Sequence, residues 1–245
     1  MNFSLKAWDQ AMPMIKKIEA HPFNQQLSNG TLDNDIFLYY LAQDSVYLES
    51  YLKAFCYILA KIDKQYQSTF HRYIESIIVF EKNELNKLFI LPDHLKNNVK
   101  PTLATVAYTN YLINMACVES AAVATAAIAP CFWIYNHIAS LHLKNAIQTN
   151  PFKPWIDLYS SDYFYQSTLE VIAIMDDLAS RANSIEQTKM FEAFYRASCL
   201  EWHFWNDAYH QNTIDQDFNA AFPKQLSYEG LKKYRFSKLK MMTCP

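Results

Sequence analysis

The residues of this chain best suited to chemistry are two acids and a cysteine set among aromatic side chains. Tyr40, Asp44, Tyr47 and Tyr51 follow one another at spacings of four, three and four, so one helical stripe reads aromatic, acid, aromatic, aromatic. Glu201 stands in Ser198-Cys199-Leu200-Glu201-Trp202-His203-Phe204-Trp205 with Phe204 and Trp205 three and four residues on, and it too faces inward on this reading. A buried carboxylate without a partner either carries a large desolvation cost or takes up a proton. Each acid therefore either bonds a tyrosine hydroxyl or backbone amide and orders the core, or is held for proton transfer. Cys131 follows Pro130 inside an apolar helix, in Ala129-Pro130-Cys131-Phe132-Trp133-Ile134-Tyr135. Proline deletes one helical hydrogen bond and kinks the helix, which can turn the next side chain toward a cavity. A nucleophile there needs a thiolate, and apolar surroundings oppose one unless a base or cation offsets them; an inert buried thiol is the alternative.

Other chemistries find little support. His71 and Glu75 are one helical turn apart, a spacing for two metal ligands, but an exposed ion pair on a charged stretch explains them more simply. His137 and His142 point to different faces, and no Glu-x-x-His pair is present, so no metal site and no cofactor is expected. With only 2 glycines in 245 residues, against a usual share of roughly 7%, neither a dinucleotide-binding loop, a P-loop nor a G-x-S-x-G elbow can be built. The net charge of −2 offers no global basic field for nucleic acid or anionic lipid. The five cysteines, an odd number, include no C-x-x-C pair, which fits a reducing cytosol, and Lys6 and Asp9 interrupt what would be the apolar core of an export signal.

The elements that must position these residues are helices. Scarce glycine disfavours tight hairpins, and 5 Trp, 17 Tyr and 16 Phe recur at spacings of three and four. Ser4 is expected to cap a first helix reaching Ala20, with a kink at Pro13; a short helix ends at Asn29-Gly30; and Thr31 or Asp33 caps a long helix through Asp44 and Phe55. A further helix is predicted over Lys64–Leu91, another from Thr102, and an uncharged one over Ser120–Leu143. The last is long enough to cross a bilayer, but Asn136, His137 and His142 make it a buried central helix instead. Ser160-Ser161-Asp162 caps a helix to about Ala182, and a capping box of Ser184 and Gln187 opens the last, to Gln211. The reading is one antiparallel all-α bundle over residues 1–211 with a basic tail, 212–245, of uncertain structure.

In order and spacing, His21-Pro22-Phe23, Thr31-Leu32, Tyr39-Tyr40-Leu41-Ala42-Gln43-Asp44, Ala107-Tyr108-Thr109, Pro130 to Tyr135, Trp155 to Tyr159 and Glu201 to Trp205 resemble the TenA-type thiaminase II family, over about residues 5 to 211. The resemblance implies a haem-oxygenase-like bundle that binds no haem, a cytoplasmic homotetramer with a pyrimidine pocket between its helices. It implies hydrolysis of 4-amino-5-aminomethyl-2-methylpyrimidine (aminopyrimidine) to hydroxymethylpyrimidine in thiamin salvage, and cleavage of thiamin itself. Carried over, Asp44 holds the ring amino group and adjacent nitrogen, Cys131 adds to the ring carbon beside the methylene-bearing one, and Glu201 protonates the leaving group and then activates water. Tyr108 and Tyr159 bond ring nitrogens and the carboxylate or thiol, while Tyr47 and Phe204 wall the pocket. Cys131 places the chain with the cysteine-containing members. Two other readings stay open: an oxygenase, metal-dependent or cofactorless, on the same bundle, and a pyrimidine-binding protein without catalysis.

Overall fold

In the computed structural model, residues 2–81, 89–97, 99–143 and 149–213 are described. Among them every regular element is helical: α1 (Phe3–Glu19), α2 (Pro22–Asn29), α3 (Asn34–Leu59), α4 (Lys64–Ser76, passing into a π turn at Ile77–Glu81), α5 (Asp93–Asn97), α6 (Leu103–Val118), α7 (Ala121–Leu143), α8 (Lys153–Tyr159), α9 (Asp162–Arg181) and α10 (Ser184–His210).

The uncharged segment forms α7, the axis of the bundle. α10 and α9 pack along it, α8 crosses one end, and α3 joins from the side, itself lying on α6 and α10. Ala122, Val123 and Ala124, Ala126 to Pro130, and Ile134 are all buried. Small side chains let neighbouring helices approach closely, and burial on all sides is what a helix apolar around its circumference requires. α7 is long and apolar enough to cross a membrane, yet 78% of its most apolar window is buried inside the protein.

The ends are set by local chemistry. Asp33 accepts from the Asp35 amide, Thr102 from Thr105 and Ser161 from Phe164, each satisfying an orphan N–H. Gly30 ends α2 at φ +72°, and a Cβ there would sit 3.3 Å from Pro151 Cδ. The Asn150 amide meanwhile donates to the Leu27 and Ser28 carbonyls at 3.0 Å. That position needs glycine both for its left-handed backbone and for the close approach of the loop.

Four expectations are corrected. α1 begins at Phe3 with Asn2 as its N-cap, because the Ser4 hydroxyl and amide are engaged by Asp176 from α9 at 2.7 Å. The capping box at Ser184 does not form: Asn183 accepts from the Glu186 amide, and Gln187 donates instead to the Ala179 and Ala182 carbonyls. The helix predicted to reach Leu91 is α-helical only to Ser76 before its π turn; residues 82–88 lie outside the description. The short α5 was not foreseen. The predicted tail lies outside the described residues from 214 onward.

Candidate active site

The long helix α3 supplies one wall of a cavity, through Asp44, Tyr47, Leu48 and Tyr51. Helix α7 supplies the facing wall through Cys131, Phe132 and Tyr135, and Tyr159 of α8 and Phe164 of α9 complete it. The i, i+3, i+4, i+7 spacing on α3 puts its four residues on one face, and Cys131 and Tyr135 share a face of α7 for the same reason. The Tyr51 hydroxyl donates to the Ile128 carbonyl at 2.9 Å, tying α3 to the turn of α7 that carries Pro130.

Asp44 is 4% exposed, and among the described residues no hydrogen-bond donor is seen on its carboxylate. Burial alone pushes its pKa up to about 7. The Tyr47 hydroxyl on the same cavity wall is buried without a hydrogen-bond partner among the described residues. A ligand presenting N–H donors to the carboxylate would be favoured there.

Glu201 of α10 is buried, and Tyr108 of α6 donates to its Oε1 at 2.7 Å. Burial raises its pKa to about 8; the Tyr108 hydrogen bond opposes that rise, and the charge of Asp44 adds to it. Glu201 is thus a proton donor near neutrality and a carboxylate above it. Tyr47 links it to the cavity. The Tyr47 ring lies 5.0 Å from that of Tyr108 and 5.7 Å from that of Phe204, while Tyr47 also lines the cavity beside Cys131.

The structure therefore brings Asp44, Tyr47, Cys131 and Tyr159 onto one cavity surface. Tyr108, Glu201 and Phe204 are placed next to Tyr47 rather than in the cavity lining. Phe204 packs on Tyr40 as well, at 5.9 Å. Tyr51, Tyr135 and Phe164 line the site without having been assigned to it. Tyr51 and Tyr135 could have been found by continuing one helical period from Tyr47 and Cys131, whereas nothing near Phe164 in the chain points to it. Tyr40 and Tyr135 meet through their hydroxyls at 3.2 Å, bracing α3 against α7. His71 and Glu75 form an exposed pair at 3.9 Å. No group of three or more His, Cys, Asp or Glu side chains among the described residues is arranged to hold a metal ion.

Residues 8–211 match the TENA/THI-4/PQQC family. The chain belongs to that family. Among its TENA/THI-4/PQQC relatives is the aminopyrimidine aminohydrolase of Halalkalibacterium halodurans, 31% identical over 219 residues that cover 86% of this chain and 97% of that protein. The aminopyrimidine aminohydrolase of Bacillus subtilis is 28% identical over 218 residues, 85% of this chain and 90% of that protein. Among solved structures, a TenA homologue from P. horikoshii superposes with a TM-score of 0.78 at 24% identity, covering 86% of this chain and 99% of its own. A domain of unknown function with a heme oxygenase-like fold from Shewanella denitrificans follows the bundle with a TM-score of 0.68 at 13% identity, covering 91% of this chain and 98% of its own. The fold of this TENA/THI-4/PQQC member is the haem-oxygenase-like helical bundle.

Proposed function

We propose that this protein is an aminopyrimidine hydrolase of the thiaminase II type, converting aminopyrimidine to hydroxymethylpyrimidine and cleaving thiamin at the same methylene. The observation that carries this reading is the buried, proton-holding Asp44 carboxyl in an aromatic cavity that also holds Cys131. A 4-aminopyrimidine offers the matching surface: a flat ring for Tyr47, Tyr51 and Tyr135, and an amino group beside a ring nitrogen for Asp44.

In this mechanism the Cys131 sulfur bonds to the ring carbon next to the methylene-bearing one, and the thiol proton passes to a ring nitrogen. The 4-amino group then pushes electrons through the ring to form an exocyclic methylene as the carbon–nitrogen bond to the leaving group breaks, and Glu201 delivers its proton to the departing amine. Water adds to the methylene, giving its proton back to Glu201. The ring electrons return, the carbon–sulfur bond breaks and the thiol is restored. Glu201 ends as it began, so the net change is water in and amine out. The Tyr108 hydrogen bond keeps its carboxyl from rising further, so the group can work in both directions.

Incubating the protein with aminopyrimidine or thiamin and quantifying hydroxymethylpyrimidine tests the proposal. Release of hydroxymethylpyrimidine from aminopyrimidine is expected. Stoichiometric iron with oxygen-dependent turnover, and no such product, would overturn it. A cytoplasmic homotetramer is part of the same proposal, and light scattering of the purified protein reads the assembly.

A further inference from the structure

A second hollow adjoins the cavity that holds Cys131, and the two share Phe132, Tyr159 and Phe164 as common wall. Its far side comes from the end of α4, where Ile77 opens the π turn, and from Leu158 at the end of α8. Helices interrupted by a π turn frequently do so at functional sites.

Among the described residues the lining carries no Lys, Arg, His, Asp or Glu. Its serine hydroxyls are already committed to the backbone: Ser76 to the Arg72 carbonyl at 2.9 Å, Ser161 to Leu158 at 2.7 Å and Ser167 to Tyr163 at 3.1 Å. Arg72, whose guanidinium lies 5.9 Å from the centre of the Tyr73 ring, is paired with Glu170. A phosphate placed in the hollow would lose its water and meet no free cation among the described residues, whereas a flat aromatic ring would be bounded by aromatic faces.

We propose that this hollow receives the leaving-group half of the substrate, and that its uncharged lining admits an unphosphorylated heteroaromatic leaving group while rejecting one that bears phosphate. The inference rests on the hydrolase reading above and adds to it the feature that selects the leaving group. Aminopyrimidine, whose leaving group is ammonia, makes no use of the hollow; thiamin fills it.

The test compares aminopyrimidine, thiamin and thiamin monophosphate on the full chain. Wild type is expected to cleave thiamin with a kcat/KM at least about 100-fold above that for the monophosphate, about the loss when a buried charge is left unpaired. Leu158→Trp, which fills the hollow, should lower kcat/KM for thiamin at least about tenfold and leave aminopyrimidine within about threefold. Leu158→Lys, which supplies a cation at a half-buried position, should raise monophosphate cleavage at least about tenfold. Parity of thiamin and its monophosphate, no thiamin cleavage by wild type, or equal losses on both substrates in Leu158→Trp without the gain in Leu158→Lys would overturn the inference. If aminopyrimidine itself is not hydrolysed by wild type, the hydrolase reading has failed instead.

Discussion

Two places in the bundle gather acidic side chains, and they handle them in opposite ways. Along the seam between α1, α4 and α9, Asp176 accepts from the Ser4 amide and hydroxyl at 2.7 Å. Asp177 beside it accepts from Tyr66 and Arg181, both at 2.7 Å, and the Tyr66 and Arg181 hydrogen bonds lower its pKa. In the cavity region, among the described residues, Asp44 has no hydrogen-bond donor and Glu201 has Tyr108, and burial drives both pKa values up, to about 7 and about 8. The seam acids are each met by at least two donors, so they hold helices together. The cavity acids are kept short of partners, which costs stability and leaves their protons and lone pairs available.

The sign of the pH dependence follows. The folded-state pKa values of Asp44 and Glu201 lie above their unfolded values of 3.8 and 4.5, so the folded chain binds more protons than the unfolded one between those limits. Stability from these groups is fully present below about pH 4 and is lost as pH rises through about 7 and 8. Asp177 runs the other way: its lowered pKa contributes stability above the ordinary aspartate range that is lost as pH falls through the folded value.

The contrast can be broken most directly at the cavity. Cys131→Ser and Glu201→Gln should each reduce aminopyrimidine hydrolysis at least about 100-fold in a steady-state assay, the scale of one catalytic group. Rates near wild type in both would remove the chemical half of the comparison. Asp44→Asn keeps the shape and removes the charge-capable acceptor, so kcat/KM should drop about 10- to 100-fold, the range for a hydrogen bond to a charged group. The same variant should melt higher than wild type at pH 9 and equally at pH 4. A lower Tm at pH 9 would mean that Asp44 stabilises the fold after all.

Tyr108→Phe sharpens the electrostatic half. Deleting the hydrogen bond that lowers the Glu201 pKa should move the alkaline limb of kcat/KM upward by about half a unit to one unit, a modest hydrogen bond expressed in pKa. A downward shift would contradict the assignment of that limb to Glu201. The smallest functional effect is expected at the seam. Asp176→Ala should cost about 1 to 2 kcal/mol in denaturant unfolding, as the loss of a helix N-terminal acceptor does, with turnover within about twofold of wild type. A large loss of activity without loss of stability would show that the seam and the cavity are not separate.

Much of this was legible before any coordinates. The stripe of Tyr40, Asp44, Tyr47 and Tyr51 lies on one face of α3 as its spacing requires, and the uncharged segment is the buried axis. Caps were legible to within a residue or two where the donor and acceptor are near in sequence: Asp33 was one of two candidates for α3, and Ser161 lay within the segment Ser160-Ser161-Asp162. They were misread where a distant residue competes. Ser4 has a capping hydroxyl, but Asp176, 172 residues away, engages it. Phe164 escaped notice because it joins the cavity only through the packing of α9 on α7. The layering of Glu201 beside Tyr47, outside the cavity surface, follows from how α10 packs on α3, which no local spacing encodes.

What the sequence by itself determined is therefore the helical class and the face on which each candidate residue lies, since helical period, glycine scarcity and capping act over a few residues. The tertiary structure alone decided which faces meet, that Asp44 is buried, that Glu201 receives the Tyr108 hydroxyl, and how far their protons are held above the ordinary carboxylate range. Desolvation is a sum over every neighbour that displaces water, and here those neighbours come from helices far apart in the chain.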